Sequence, residues 1–397
     1  MKKLFFALVA ALLIAMAFAP NVAVAEDVDQ DFTQNSEIYD FVQELCDYNY
    51  MGVEYARAYL QDKFAETLDG KGAVSKQQFE NGQYVNLVAK LTKNGADKQI
   101  IIGAHYDTFG EGAGDNACGV AALYRAMQLL SSNVGKLPCN VVFVAFDGEE
   151  AGLLGSEYYV NKMSQAERDS TLVMFNVDTI ATGDKLYLHC ENKSTDLAKL
   201  ILGNAEGLQH KPYAKGTFGI AYDVYGYGYY ETVQGSDHTP FRLAGIPTAL
   251  FFSGTYSSTV WNYAENSDPS KAVMNSTSDT FENLTLNHPN FDARIEAVAQ
   301  AIAKTVTDAN FATVGANARK QLVNLNFWYN VWWPIITVVV IAIAAIVLAI
   351  FYYRKLQKNA ILGESEIKSQ TVFEKPDADD IFSFKSDDTD DIFTFKK

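Results

Sequence analysis

Two histidines and four carboxylates in this chain are placed where they could act together: His105, Asp115, Glu149, Glu150, Asp178 and His238. Taken singly, each has an ordinary explanation. A Glu-Glu pair is most often a solvated acidic turn, a histidine after a strand is usually a satisfied loop residue, and an aspartate before a helix is a routine N-cap. Taken together they share a setting, since each lies beside a short apolar run or a helix start. Imidazole and carboxylate donors gathered in one place suit zinc or a related divalent ion. Five such ligands serve two ions if one aspartate bridges, and the sixth residue is left as a base. Two ions about 3.5–4 Å apart can hold a shared hydroxide and polarise a carbonyl, while a free carboxylate carries the proton from the water to the leaving nitrogen.

The elements that must position these groups are legible as apolar runs. Val141–Phe146, Gln99–Gly103, Thr171–Val177 and Ile246–Phe252 are rich in β-branched and aromatic residues and predict strands buried on both faces of an α/β sheet. Asp147-Gly148 ends the first of these, and a helix is expected from near Glu157, so Glu149 and Glu150 fall on a loop at the carboxyl end of a central strand. That edge is where open α/β sheets bind ligands. Gln83–Leu91 predicts another strand, and the apolar spacing between Asn35 and Phe64 is helical. Gly110–Gly119 is a glycine-rich loop leading into a helix whose Val120, Leu123, Tyr124, Met127 and Leu130 share one face. Such loops often cradle phosphate, but this one fits neither nucleotide fingerprint and places an aspartate where a phosphate would sit. Asp107, two residues after His105, is placed to take the proton of one ring nitrogen and leave the other for a metal. His189, His210 and His288 have no comparable setting and are expected to be structural or exposed.

In order, His105-Tyr-Asp107, Gly114-Asp115-Asn116, Phe146-Asp-Gly-Glu149-Glu150-Ala-Gly-Leu-Leu-Gly-Ser156, Asn176-Val-Asp178 and Ser236-Asp-His238-x-Pro-Phe resemble the consecutive motifs of the M28 family of zinc peptidases, which includes aminopeptidase Y and bacterial leucyl aminopeptidases. The resemblance spans residues 83–252. It implies a zinc ion on His105, Asp115 and Asp178 and a second on Asp115, Glu150 and His238, with Asp115 bridging. It further implies Glu149 as general base and Asp107 as the group that orients His105. The fold it implies is a mixed, mostly parallel eight-stranded sheet between helices. The activity it implies is removal of N-terminal residues from peptides with a free amino terminus. Carboxypeptidase and glutaminyl cyclase activities occur on the same fold, and a non-catalytic receptor ectodomain is a rival from another class. The chain departs from the family in two places. Asn275-Ser-Thr-Ser-Asp279-Thr280 stands where the family has H-T-x-x-D-T, and Phe218–Tyr230 is unusually rich in tyrosine, which could line the pocket mouth or pack as a loop.

The two ends of the chain bear on location. Met1-Lys2-Lys3, the apolar run Leu4–Ala19 and Ala23-Val24-Ala25 predict a secretory signal peptide over residues 1–25. Residues 331–353 are long and apolar enough to cross a bilayer, with Trp328, Tyr329, Trp332 and Trp333 before them and Arg354-Lys355 after. The expected order is therefore signal peptide, an extracytoplasmic peptidase domain over residues 26–325, a single span, and a polar, disordered cytoplasmic tail over residues 354–397. In that tail Asp379-Asp-Ile-Phe-Ser-Phe-Lys385 recurs as Asp390-Asp-Ile-Phe-Thr-Phe-Lys396, a repeat that would suit an intracellular partner as well as no partner at all. A net charge of −16 argues against nucleic acid as a partner. Cys46, Cys118, Cys139 and Cys190 fit no metal-finger spacing and are expected to be buried thiols.

Overall fold

The structure is a computed structural model that describes residues 35–183, 185–190, 195–205, 235–256, 263–265 and 269–370. The signal-peptide segment, the tyrosine-rich stretch, His210 and the repeated tail motif all lie outside the described residues. The chain divides into two units, Met1–Asn326 and Phe327–Lys397.

In the first unit, helix α1 (Ser36–Met51) and helix α2 (Val53–Leu68) replace the single helical stretch expected there. Gly52 separates them at φ 132°, a backbone region closed to most other residues. Strands β1 (Gly72–Phe79), β2 (Tyr84–Leu91) and β3 (Gln99–His105) follow, then α3 (Cys118–Ser131), β4 (Asn140–Phe146), α4 (Leu154–Lys162), α5 (Gln165–Ser170) and β5 (Thr171–Asp178). The remainder comprises β6 (Lys185–Cys190), α6 (Thr195–Asn204), α7 (His238–Leu243), β7 (Thr248–Tyr256), the two-residue β8 (Tyr263–Ala264), α8 (Phe281–Asn287), α9 (Phe291–Thr307) and α10 (Phe311–Phe327).

The strands form a mixed eight-stranded sheet in the order β1-β2-β4-β3-β5-β7-β6, with β8 added on β7. Parallel pairing is confined to the central strands β4, β3, β5 and β7, and the flanking pairs are antiparallel. The chain leaves β3 toward β4 on one side and leaves β5 toward β7 on the other. The gap above β3 and β5 is therefore the point where the winding reverses, which is where a crevice opens at the carboxyl ends of the strands.

Side-chain alternation along the central strands explains why helices cover both faces. Ile100, Ile102, Val141, Phe143 and Ala145 join the larger core, shared with α1, α2, α3 and α9. Ile101, Val142, Val144 and Phe146 point the other way, into a smaller cluster with Val160 of α4 and Phe241 of α7. All four cysteines are buried free thiols, as expected where Cys139 opens a core strand and Cys118 lies in the glycine-rich loop, and burial pushes Cys139 up to about 12.

Beneath the crevice, a buried polar network ties two strand ends together. The Asp147 Oδ2 accepts from the Arg57 guanidinium at 2.9 Å, the Val85 amide at 2.7 Å and the Tyr106 hydroxyl at 3.0 Å. Arg57 Nε also donates to the Tyr106 oxygen at 2.8 Å. Tyr106 follows β3 and Asp147 follows β4, so this network sets the spacing of the two loops that carry His105 and Glu149.

In the second unit, helix α11 (Trp333–Gln370) contains, within Trp333–Leu362, an 18-residue apolar window of mean hydropathy 3.1 with none of it buried. It is long and apolar enough to cross a membrane. The helix runs on past Tyr353, through residues assigned from the sequence to a disordered tail. Lys355, Leu356, Lys358, Ala360 and Leu362 are good helix formers, and no proline occurs before Pro376.

Replacing Asp147 by Ala leaves the edge of the Arg57 guanidinium and the buried Val85 amide without their shared acceptor, while the Tyr106 hydroxyl keeps the Val85 carbonyl at 2.7 Å. Chemical denaturation should show a loss of about 3 kcal/mol, and a change below about 0.5 kcal/mol would mean that the network contributes little.

Candidate metal centre

His105 ends β3 and is 1% exposed. Its Nδ1 lies 3.0 Å from the Asp107 carbonyl oxygen, which can only accept, so Nδ1 carries the proton and Nε2 presents a lone pair. That lone pair faces oxygens. Nε2 is 3.2 Å from Asp115 Oδ1 and 3.5 Å from Asp178 Oδ1. An acceptor among acceptors at these distances is held together only by a proton on Nε2 or by a cation between the three groups. Without a cation the imidazole is driven to hold that proton: burial lowers its affinity, but Glu149, Asp115 and Asp178 outweigh burial and hold the ring well above the usual histidine range.

Each carboxylate is fixed by backbone geometry rather than by chance contact. Asp115 lies in the turn Ala113–Ala117, where its own φ/ψ of −119°/86° is not helical. The next residue, Asn116, does the work expected of an N-cap aspartate: its Oδ1 accepts from Gly119 N and Thr179 N, both at 3.1 Å, and its Nδ2 donates to Val177 O at 3.0 Å. This frees the Asp115 carboxylate to face His105. Gly119 is required by the same contact, because a Cβ there would meet Asn116 Oδ1 at 2.1 Å and Val177 O at 2.6 Å. From behind, Asp279 clamps the turn through both of its oxygens, which accept from Gly114 N and Asp115 N at 2.8 Å each. Burial pushes Asp279 up to about 7 against the pull of those two amides.

Asp178 closes β5, where its two oxygens accept from the Thr179 hydroxyl at 2.8 Å and the Ser236 hydroxyl at 2.6 Å. Burial alone would raise its pKa. The contacts with His105, Ser236 and Thr179 prevail and hold it below the ordinary carboxylate range.

The Asp107 carboxylate has a task that the sequence did not suggest. Its two oxygens accept from Glu149 N and Glu150 N, each at 3.1 Å, and thereby shape the acidic turn. It lies 3.8 Å from His105 Nδ1, and the contact that fixes the ring is the Asp107 carbonyl. Glu149 and Glu150 are half-buried, and burial pushes them up to about 10 and about 8 respectively, helped in each case by neighbouring acids.

His105, Asp115 and Asp178 place three donor atoms within 4.8 Å of one another, and His105, Glu149 and Glu150 form an overlapping group. This donor set fits a divalent cation: one imidazole and several carboxylates, buried and short of positive charge. The carboxylates line a cavity of about 500 Å³ together with Met274 and Asn275. His238 stands apart. It heads α7, belongs to neither group of ligand atoms, and both its ring nitrogens are buried without a hydrogen-bond partner among the described residues, with burial lowering its pKa to about 3. His238 is close enough to Asp178 to feel its charge, but the donor atoms that meet within 4.8 Å do not include its own. The Ser236-Asp-His segment serves Asp178 through Ser236 instead. His189 is buried within β6, in line with a structural role.

Residues 86–305 match the model of peptidase family M28. Aminopeptidase YwaD of Bacillus subtilis is 29% identical over 214 residues, covering 52% of this chain and 44% of that protein. Leupeptin-inactivating enzyme 1 of Streptomyces exfoliatus is 29% identical over 227 residues, covering 55% of this chain and 47% of that protein. The chain thus spans less than half the length of these two relatives. Among solved structures, a zinc aminopeptidase from Bacillus subtilis aligns at 24% identity with a TM-score of 0.42, covering 56% of this chain and 49% of that one.

Asp279 meets the candidate ligand Asp115 at its backbone amide and not at its carboxylate, and so sets the turn that carries it. Asp279→Ala should weaken zinc binding roughly 10- to 100-fold in a chelator competition. Unchanged affinity would show that the turn holds its shape without this clamp.

Proposed function

The chain belongs to peptidase family M28, and from that premise we propose that it is a metallo-aminopeptidase. The observation that carries the proposal is the convergence of His105, Asp115 and Asp178 beside Glu149 and Glu150, on a cavity at the carboxyl ends of β3, β4 and β5. His105, Asp115 and Asp178 would hold zinc, and Glu150 lies on the side where a second divalent ion would share Asp115. Bound there, such an ion supplies Lewis acidity toward a carbonyl and lowers the pKa of water.

The remaining work falls to the protein. Glu149 stands outside the group formed by His105, Asp115 and Asp178 and belongs only to the overlapping one with His105 and Glu150; with the ions held by the other residues, its carboxylate would be left to take a proton from water. It then returns that proton to the nitrogen of the departing peptide, so the base that starts the reaction ends it as the acid. Asp107 holds both Glu149 and Glu150 by their backbone amides, which fixes the direction of the base without neutralising it. The acids around the cavity suit a substrate whose free α-amine is positively charged.

The apolar helix Trp333–Leu362 would anchor the enzyme as a single span. Arg354 and Lys355 directly after Tyr353 support a cytoplasmic carboxyl side and an extracytoplasmic catalytic domain.

Glu149→Gln keeps the shape of the side chain and removes its basicity. With aminoacyl-anilide substrates kcat should fall by roughly 10²- to 10⁴-fold while bound metal, read by elemental analysis, stays the same. Normal turnover in that variant would overturn the assignment of the base. Exhaustive chelation should abolish the same activity and added zinc should restore it. Turnover of C-terminal peptide substrates or cyclisation of N-terminal glutamine, with the anilides untouched, would overturn the aminopeptidase reading.

A further inference from the structure

The second ion position lacks the imidazole that the first one has. Asp115 and Glu150 face it across the cavity, and the side chain beside them is Asn275. The Asn275 amide lies 3.0 Å from Glu150 Oε1 and 2.7 Å from Oε2, a pairing that is a hydrogen bond when the nitrogen faces the carboxylate. The same separation with the amide oxygen turned inward brings oxygen against oxygen, which requires either a proton on Glu150 or a cation held by both groups. The amide therefore offers this position either a donor to Glu150 or an oxygen ligand, according to which end faces the carboxylate.

Its backbone is built to present this side chain. Asn275 sits at φ 56°, a left-handed conformation that asparagine adopts more readily than most residues. The buried Glu265 holds the approach to it by accepting from Val273 N at 2.8 Å and Met274 N at 2.9 Å. Four residues on, Asp279 clamps the Asp115 turn, so one short segment controls both the bridging aspartate and the amide.

We propose that the second position is an all-oxygen site made by Asp115, Glu150 and the side-chain oxygen of Asn275, and that it takes a hard divalent cation such as manganese in preference to zinc. The inference rests on the metallopeptidase reading of the first position. Its chemistry is the ordinary matching of ligand to ion: carboxylate and carbonyl oxygens suit manganese and magnesium, while the imidazole of His105 makes the first position the zinc site. The result is a mixed pair of ions, one held firmly and one exchangeable.

The test uses the full chain in detergent, stripped with chelator and dialysed against zinc alone or against zinc with manganese. Elemental analysis and the manganese electron-spin-resonance signal read each site without reference to activity. Wild type should retain one equivalent of zinc from dilute zinc and acquire one equivalent of manganese beside it. Asn275→Ala should lose the manganese equivalent and keep the zinc, which also shows that the variant is folded. Asn275→Asp should keep the manganese, and Asn275→His should retain a second zinc in its place. Two zinc ions held equally by wild type, no manganese bound beside zinc, or manganese undiminished in Asn275→Ala would each overturn the all-oxygen site while leaving the zinc centre standing. A wild-type chain that binds no zinc would overturn the metallopeptidase reading, and this inference with it.

Discussion

The constraint that organises this protein is an excess of buried negative charge around one imidazole. His105 is surrounded by Asp115, Asp178, Glu149 and Glu150, and among the described residues no lysine or arginine forms an ion pair with any of the four. Burying like charges together is costly unless they are protonated or neutralised. In the metal-free chain the cost appears as raised proton affinities at Glu149 and Glu150 and a protonated His105. A divalent cation would remove the same cost without protons and would leave Glu149 ionised for the proposed role of base. The site is therefore both electrostatically strained and useful, for one reason.

Such a cluster persists only if the backbone prevents the acids from turning away. The protein solves this largely with acceptors that grip main-chain amides. Asp107 holds the Glu149-Glu150 turn, Asp279 holds Gly114 and Asp115, Asn116 joins the start of α3 to the end of β5, and Asp147 ties the loops after β3 and β4 to Arg57. Each is a polar group spent on geometry, and each lies at the carboxyl edge of the parallel strands. The sheet below supplies the rigidity, because its central strands carry apolar cores on both faces.

Much of this was legible in the sequence, and the exceptions have physical causes. The central strands announce themselves as apolar runs because they are buried on both sides, and the carboxylates at their ends stand out against that background. Strand β1, Gly-Ala-Val-Ser-Lys-Gln-Gln-Phe, carries no such signal, since it is an edge strand with polar residues toward water. Strand β6 is hidden for a similar reason: it flanks the sheet and includes a histidine that only the structure shows to be buried. Order along the chain could place His238 near Asp178, but it could not say that the intervening Ser236, and not the imidazole, makes the contact. Nor could it show that Asn275, where the family motif begins with histidine, lies against Glu150. That juxtaposition joins residues far apart in sequence and depends on how the segment after β8 folds back over the cavity.

The central claim is that the buried acids around His105 exist to hold a cation. Anomalous diffraction at the zinc absorption edge, from crystals of the full chain grown with zinc, tests it most directly. The account predicts a strong peak bounded by His105 Nε2, Asp115 and Asp178. Crystals that show ordered side chains there and no anomalous signal between them would contradict it.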